Sequence, residues 1–429
     1  MLKSNNGSYC LVGYGVSNVA VCQYLMKNGI FPTIRCKNEC VLPSGIMGIF
    51  GKDYLNTTED VIFRSPSVRP DLINGQGTVY TEVSYGLKNT KAFKIGVTGS
   101  DGKTTTSTLI YRMLCQGGKN AFLGGNIGKP IIDFALSLSK NDYLVAELSS
   151  FQLMDFNEHL DIAVITNISE NHLDWHTDME EYILAKKRIL KNARLSVLNY
   201  DSDLVRGLGN DKTVYFSMNN CEDLLCQGKK FVHIVNGIIY FNETPLFSVS
   251  DICLRGEFNV QNVLCAIACA YGIVDKSACH TVAREFCGVD NRMENLGTHL
   301  ERTFICSAID STPTRSINTL NAFPLDKVVV IMGGYDKNLS YECLAPTLNK
   351  VKATVICGEN REKIMAVAGS RAINVSTLKE ALVVAFKLSS QGDYIILSPA
   401  SCSFDMFKNY KEKAKCFKEA VKEIRNGEY

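Results

Sequence analysis

The stretch Phe93-Lys94-Ile95-Gly96-Val97-Thr98-Gly99-Ser100-Asp101-Gly102-Lys103-Thr104-Thr105-Thr106 reads as an apolar strand, a glycine-rich loop and the opening turn of a helix. Each residue type in that loop has a task. Glycines let backbone N–H groups curl around phosphate oxygens, and a helix N-terminus favours their negative charge. Lys103 can neutralise the β/γ region of a nucleotide, and the Thr104 hydroxyl can ligand Mg2+. The general phosphate-loop spacing calls for glycine at Val97, so the loop departs from that pattern by one residue. A glycine turn followed by a surface lysine is the bland alternative, but it does not require this order of residue types between a strand and a helix. ATP binding is therefore expected, with Gly99, Ser100, Gly102, Lys103, Thr104 and Thr105 around the phosphates.

Downstream, the apolar runs Tyr143 to Ala146 and Ile162 to Thr166 alternate with helical patterns, which predicts an α/β domain built on a mainly parallel sheet. Phe231 to Val235 and Ile238 to Phe241 flank Asn236-Gly237, a signal for a type I′ hairpin. A further alternating segment has strands at Val328 to Met332, Thr354 to Cys357 and Tyr394 to Leu397, with a charged amphipathic helix at its end. Upstream, Tyr9-Cys10-Leu11-Val12 leads into Gly13-Tyr14-Gly15 and a helical pattern through about Lys27. That is a partial G-x-G-x-x-G turn, with Asn18 where the third glycine would stand and no acidic residue closing the next strand. A nucleotide diphosphate on helix N-terminal amides and a simple tight turn are both compatible with it. The expected architecture is α/β in three domains: a Rossmann-like domain over 1–90, a central phosphate-loop ATPase domain over 91–288, and a second Rossmann-like domain over 289–429.

Composition narrows the function classes. The 429 residues carry 46 basic and 44 acidic side chains, a formal charge of +2, so no broad surface for nucleic acid or anionic membrane is implied. The longest apolar runs fall far short of the roughly 18 to 20 residues that cross a bilayer. Met1 to Gly7 lacks the charged and apolar tandem of a signal peptide, so the cytoplasm is the expected location. Seventeen cysteines occur without a C-x-x-C pair, and they read as reduced, mostly buried small hydrophobes. Cys36/Cys40 and Cys265/Cys269 have helix-like spacing without a second pair, which argues against structural zinc.

The phosphate loop is followed in order by Gly125-Asn126-Ile127-Gly128, Glu147-Leu148-Ser149-Ser150-Phe151-Gln152-Leu153 and Asn171-His172-Leu173-Asp174. Then come Ala185-Lys186-Lys187-Arg188-Ile189, Gly256-Glu257-Phe258-Asn259-Val260-Gln261-Asn262 and Asn291-Arg292-Met293-Glu294. Gly333-Gly334-Tyr335-Asp336-Lys337 and Leu397-Ser398-Pro399-Ala400-Ser401-Cys402-Ser403-Phe404-Asp405 complete the series. Across essentially its whole length the chain resembles the Mur ligases. Ser65-Pro66-Ser67-Val68-Arg69-Pro70 and the last motif favour the member that adds D-glutamate to UDP-N-acetylmuramoyl-L-alanine in peptidoglycan precursor synthesis.

The resemblance implies an ATP-dependent, amide-forming ligase acting through an acyl phosphate, with the N-terminal domain on the UDP end of the substrate and the C-terminal domain closing over the site. It assigns Lys103, Glu147, His172 and Lys186 to catalysis, and Thr104, Glu147, His172 and Lys186 to two Mg2+ ions, Lys186 as a carbamate. Asn259, Asn262, Arg292 and Asp310 join the loop in holding ATP. Gly15, Ser17, Asn126, Lys337, Ser403, Phe404 and Tyr410 face UDP-N-acetylmuramoyl-L-alanine or D-glutamate. A monomer is the family expectation. Composition alone would make Glu147 a strand-end acid, His172 a loop imidazole, Lys186 a solvated helix lysine and Asn259 a helix cap. The sequence departs from the family at Asp101, Phe258 and Arg35, and in a shortened segment from Asp310 to Arg315. Those departures motivate two alternatives: a Mur-type ligase with another amino acid or acceptor, and a diverged nucleotide-binding regulatory paralogue with little catalysis.

Overall fold

The computed structural model describes residues 7–171, 175–221, 227–336 and 339–428. The chain separates into two compact units, one of Met1–Asp251 with Gln261–Arg284 and the other of Ile252–Val260 with Glu285–Tyr429.

The first unit holds two sheets. Strands β1 (Tyr9–Val12), β2 (Thr33–Cys36), β3 (Gly48–Phe50), β4 (Val61–Arg64) and β5 (Thr78–Tyr80) pair in the order β3-β2-β1-β4-β5, all parallel. Helix Val16–Lys27 follows β1, and its buried face of Ala20, Val21, Cys22 and Leu25 closes one side of that sheet. Asn18 explains why a third glycine is unnecessary at the preceding turn. Its side-chain amide donates to the Gly13 carbonyl at 2.7 Å and the Phe63 carbonyl at 3.0 Å, so a buried side chain locks the turn that a glycine would merely permit.

The second sheet comprises β6 (Phe93–Thr98), β7 (Ala121–Gly125), β8 (Tyr143–Glu147), β9 (Leu160–Ile165), β10 (Ala193–Asn199), β11 (Thr213–Phe216), β12 (Lys230–Val235), β13 (Ile238–Phe241) and β14 (Thr244–Ser248). Their order is β14-β13-β12-β11-β10-β9-β6-β8-β7, parallel from β7 through β12 and antiparallel in the last two pairings. β6, the strand entering the phosphate loop, is central, flanked by β8 and β9. Such strands are covered on both faces, which is why they read as unbroken apolar runs. The hairpin forms as expected: Val235 pairs with Ile238, and Asn236 and Gly237 both take positive φ, 48° and 76°.

The second unit is built on β15 (Glu294–His299), β16 (Arg302–Cys306), β17 (Val328–Met332), β18 (Ala353–Ile356), β19 (Ala372–Asn374) and β20 (Tyr394–Leu397), in the order β15-β16-β20-β17-β18-β19. Only β15 runs antiparallel to its neighbour among these pairings. The helix Tyr410–Asn426 starts where the Asn409 side chain accepts from the Lys411 and Glu412 amides and stops at Gly427 in the left-handed region. Its Ala414, Phe417, Ala420, Val421 and Ile424 recur at helical spacing and are buried in the core beneath β16 and β20.

One expectation is corrected here. Cys253 and Cys287 form a disulfide, with Cα atoms 5.2 Å apart, so the cysteines are not uniformly reduced. The two lie 34 residues apart in sequence, a separation that no short-spacing rule detects. Fourteen other described cysteines are free and most of them are buried, as the composition suggested.

Candidate active site

The phosphate loop spans the C-terminal end of β6 and the N-terminus of helix Lys103–Gln116. Two of its glycines are obligatory. A Cβ on Gly99, at φ 154°, would sit 1.9 Å from the Thr166 hydroxyl, and one on Gly102, at φ 77°, would sit 2.2 Å from the Asn262 side-chain oxygen. Sequence reasoning missed the clamp behind the loop: the Asp101 amide donates to Asn167 Oδ1 at 2.8 Å, and its carbonyl accepts from Thr166 Oγ1 at 2.6 Å. Thr166 and Asn167 follow β9, the neighbour of β6, so topology was the available signal, because ligands gather where parallel strands end. Lys103 Nζ donates to the carbonyls of Gly99 and Ser100, both at 2.8 Å, which holds its charge over the loop. Ser100 is buried, its hydroxyl shared with Tyr182 and with the Ser169 backbone; Thr105 is buried in the helix that follows.

At the end of β8, Glu147 is only 2% exposed. Its Oε2 accepts from the Thr104 hydroxyl at 2.8 Å and its Oε1 from the Asn126 side-chain amide at 2.9 Å. Asn126 itself is exposed, directly after β7, and its backbone amide donates to the Glu147 carbonyl. The structure therefore brings together three expected site residues from three separate segments. A hydroxyl and a carboxylate in contact are hard oxygen donors of the kind Mg2+ takes, usually with substrate phosphates completing its shell. With the glycine cradle beside them, the residues fit a magnesium nucleotide. Among the described residues no group of three or more His, Cys, Asp and Glu could hold a metal on its own.

Lys186 is 1% exposed on helix Met179–Lys187 and donates to the Gly99 carbonyl at 2.8 Å. Burial, and then the nearby Lys103 charge, hold its amine well below the ordinary lysine range. Its sequence neighbours Lys187 and Arg188 are exposed. His172 and Lys337 lie outside the described residues. His176 is buried against Ser150 Oγ at 3.0 Å and Glu181 Oε2 at 3.3 Å, and burial lowers its pKa.

Asn262 lies buried beside the loop, accepting from Thr106 Oγ1 at 3.2 Å. Three residues earlier in the same helix, Asn259 is buried and donates to the Arg255 carbonyl at 2.7 Å. In the N-terminal sheet, Gly15 is exposed and Ser17 half-buried at the start of Val16–Lys27. Arg35 is turned inward, its guanidinium on the Glu59 carboxylate at 3.0 Å with both side chains buried, which accounts for a base at that position as one half of an internal ion pair.

In the second unit, Asp310 is buried, accepting from the hydroxyls of Thr319 and Ser398 at 2.8 Å each; burial raises its pKa, opposed by those bonds and by Arg292. The shortened segment after it runs straight into helix Pro313–Leu320. Ser403 is 3% exposed, and its hydroxyl has no hydrogen-bond partner among the described residues. Phe404 beside it is 62% exposed and meets Tyr335 edge-on at 6.3 Å. Tyr410, half-buried, opens the last helix.

The Mur ligase middle domain family matches residues 97–270. The chain is 37% identical to a UDP-N-acetylmuramoylalanine-D-glutamate ligase from Acetivibrio thermocellus, covering 98% of this chain and 97% of the relative. It is 35% identical to the enzyme of the same name from Clostridium tetani, over the same shares of each chain. Among solved structures, the UDP-N-acetylmuramate-alanine ligase of Thermotoga maritima superposes with a TM-score of 0.63 at 20% identity, covering 97% of this chain and all of that one. No helix among the described residues is long and apolar enough to cross a membrane. With the loop, the Thr104–Glu147–Asn126 contact and full-length relatives in agreement, the chain belongs to the Mur ligase family, ATP-dependent enzymes that form amide bonds.

Proposed function

We propose that this chain adds D-glutamate to UDP-N-acetylmuramoyl-L-alanine at the expense of ATP, in the synthesis of peptidoglycan precursors. The observation that carries the reading is the Thr104, Glu147 and Asn126 cluster at the mouth of a phosphate loop, in a chain whose full-length relatives are named for that reaction. In the proposed reaction an oxygen of the acceptor carboxylate attacks the γ-phosphorus, and the bond to ADP breaks. The D-glutamate nitrogen then attacks the acyl carbon, phosphate departs and the nitrogen loses a proton. Two anions must approach each other in the first step, so the residues that matter are those concentrating positive charge or holding it.

Lys103 and the loop amides would hold the nucleotide phosphates, and Thr104 and Glu147 a first Mg2+. Bound Mg2+ supplies the charge that lets carboxylate and phosphate meet. Lys186 is a candidate for carbamylation, because burial disfavours its charged form, and an unprotonated amine can take up CO2 and release a proton, becoming an anionic oxygen ligand. With His172 it would serve a second ion. Gly99, Ser100, Gly102, Thr105, Asn259 and Asn262 would surround the nucleotide. For Arg292 and Asp310 as nucleotide contacts, and for Gly15, Ser17, Lys337, Ser403, Phe404 and Tyr410 as substrate contacts, the support is the motif resemblance. The same resemblance supports domains of 1–90 for the UDP end, 91–288 for ATP and 289–429 for the amino acid, acting as a cytoplasmic monomer on small molecules.

The test is incubation of the purified chain with Mg-ATP, bicarbonate, UDP-N-acetylmuramoyl-L-alanine and each of several amino acids, following phosphate release and product mass. A product heavier by one D-glutamate residue is expected. Turnover with a different amino acid would replace the substrate assignment, and nucleotide binding without turnover would replace the catalytic one.

A further inference from the structure

Helix Met179–Lys187 is gripped at both ends. In its first turn, Glu181 receives Arg69: Nη2 donates to Oε1 at 2.7 Å and Nη1 to Oε2 at 3.1 Å. Near its last turn, Lys186 Nζ donates to the Gly99 carbonyl, and between them the Tyr182 hydroxyl meets Ser100 Oγ at 2.9 Å. Lys186 lies five positions after Glu181, a lever of about 7.5 Å at the helical rise.

Arg69 belongs to the Ser65-to-Pro70 loop and is spread over several partners. It also donates to the Trp175 carbonyl at 3.1 Å, stacks over the Trp175 ring at 5.3 Å and pairs with Asp71 at 3.0 Å. Trp175 Nε1 returns a bond to the Ser67 carbonyl at 3.4 Å. Glu181 is equally committed, accepting from the Thr177 amide at 2.9 Å and lying 3.3 Å from His176 Nδ1. Its carboxyl is held down to about 2, chiefly by the Arg69 contact. The other end of the loop bears on the first glycine turn. Ser65 donates its amide to the Val12 carbonyl, and a Cβ on Gly13 would lie 2.8 Å from Ser65 Cβ.

The contacts thus run from the Gly13–Gly15 turn to Ser65, whose hydroxyl meets that of Ser67 at 3.0 Å, then through Trp175 and Arg69 to Glu181, and along the helix to Tyr182 and Lys186, and so to Ser100 and Gly99 of the phosphate loop. We propose that Arg69 is a positioning residue that couples occupancy of the N-terminal substrate site to the nucleotide site, by holding the Lys186 helix against the phosphate loop. This rests on the reading above in that it takes the N-terminal turn to hold the UDP end of the substrate. A planar two-pronged contact suits the role, since it fixes direction as well as distance.

The experiment measures equilibrium binding of a non-hydrolysable Mg-ATP analogue to the full chain, with and without UDP-N-acetylmuramoyl-L-alanine and with no amino acid present. Coupling is the ratio of the two affinities, and a ratio on the order of tenfold is expected for the native chain. Arg69→Gln and Glu181→Gln should each bring it close to one, and the double variant should do no more than either alone. Arg69→Lys keeps the charge and serves where Arg69→Gln fails to fold; it should retain binding of each ligand but lose most of the coupling. A merely structural Arg69 would lower the melting temperature and leave the ratio intact, which would overturn the proposal, as would a native ratio of one. Failure of the native chain to bind the UDP compound at all would overturn the functional reading and this inference together.

Discussion

The phosphate loop and the segment around Ser403 meet their polar groups in opposite ways. Around the loop, side chains proposed for the chemistry are already engaged with one another: Thr104 and Asn126 on Glu147, Lys103 and Lys186 on loop carbonyls, Ser100 on Tyr182. Around Ser403, the Ser403 hydroxyl and the buried Asp405 Oδ1 have no hydrogen-bond partner among the described residues, and Phe404 stands out in solvent. A buried polar atom without a partner costs stability, so its retention points to a role outside folding. The first region therefore ties its proposed site residues into the fold, and the second leaves polar atoms that the fold does not use.

That contrast is breakable. The largest effect is expected from Glu147→Gln, which replaces one acceptor oxygen with a donor facing either the Thr104 hydroxyl or the Asn126 amide. Product formation should fall by roughly 10²–10³, the range seen when one preorganised electrostatic group is removed. The melting temperature should fall with it by a smaller margin, because a neutral amide oxygen accepts more weakly from Asn126 than a carboxylate does and the Thr104 hydroxyl must turn round to accept. Loss of activity at an unchanged melting temperature would show that the internal bonds of Glu147 do nothing for the fold.

A smaller and more selective effect is expected from Ser403→Ala. No bond among the described residues is lost, so the melting temperature should stay in place or rise. The KM for the amino acid should increase by about tenfold, as for one hydrogen bond to a charged group. A fall in melting temperature with unchanged KM would place Ser403 with the scaffold and erase the contrast.

The two regions also differed in how far the sequence alone could be read. The phosphate loop was legible because its residues act within one contiguous stretch, and β17 and β20 were legible because five and four successive apolar residues leave no other reading. Strand edges moved where pairing overruled local polarity: β9 begins at Leu160, through the polar Asp161, because Leu160 pairs with Ala193 on β10. Lys186 looked like a solvated helix lysine among other cations. Only the packing of its helix turns it toward Gly99 while Lys187 and Arg188 face water. Contacts such as Arg69 to Glu181, 112 residues apart, and Arg64 to Asp155, 91 apart, leave no local pattern to find. The same is true of the Cys253–Cys287 bond.

The smallest effect sharpens the comparison at a second buried acid. Glu82 is 1% exposed, as enclosed as Glu147, but its Oε1 accepts only backbone, from the Ile132 amide at 2.7 Å. Burial pushes its carboxyl up from 4.5 to about 7. Between those two values the folded chain keeps a proton that the unfolded chain has released, so its contribution to stability declines as pH rises through this window. Glu82→Gln keeps an acceptor for Ile132 and removes the titration. Melting curves at about pH 5 and about pH 8 should show variant and native chain close together at the lower pH, with the variant the more stable at the higher. Ligase activity should not change at either pH, since no substrate group is assigned near Glu82. A gap independent of pH would mean that Glu82 stays ionised in the folded chain. A loss of activity comparable to that of Glu147→Gln would mean that burial with internal partners does not separate a scaffold acid from a catalytic one.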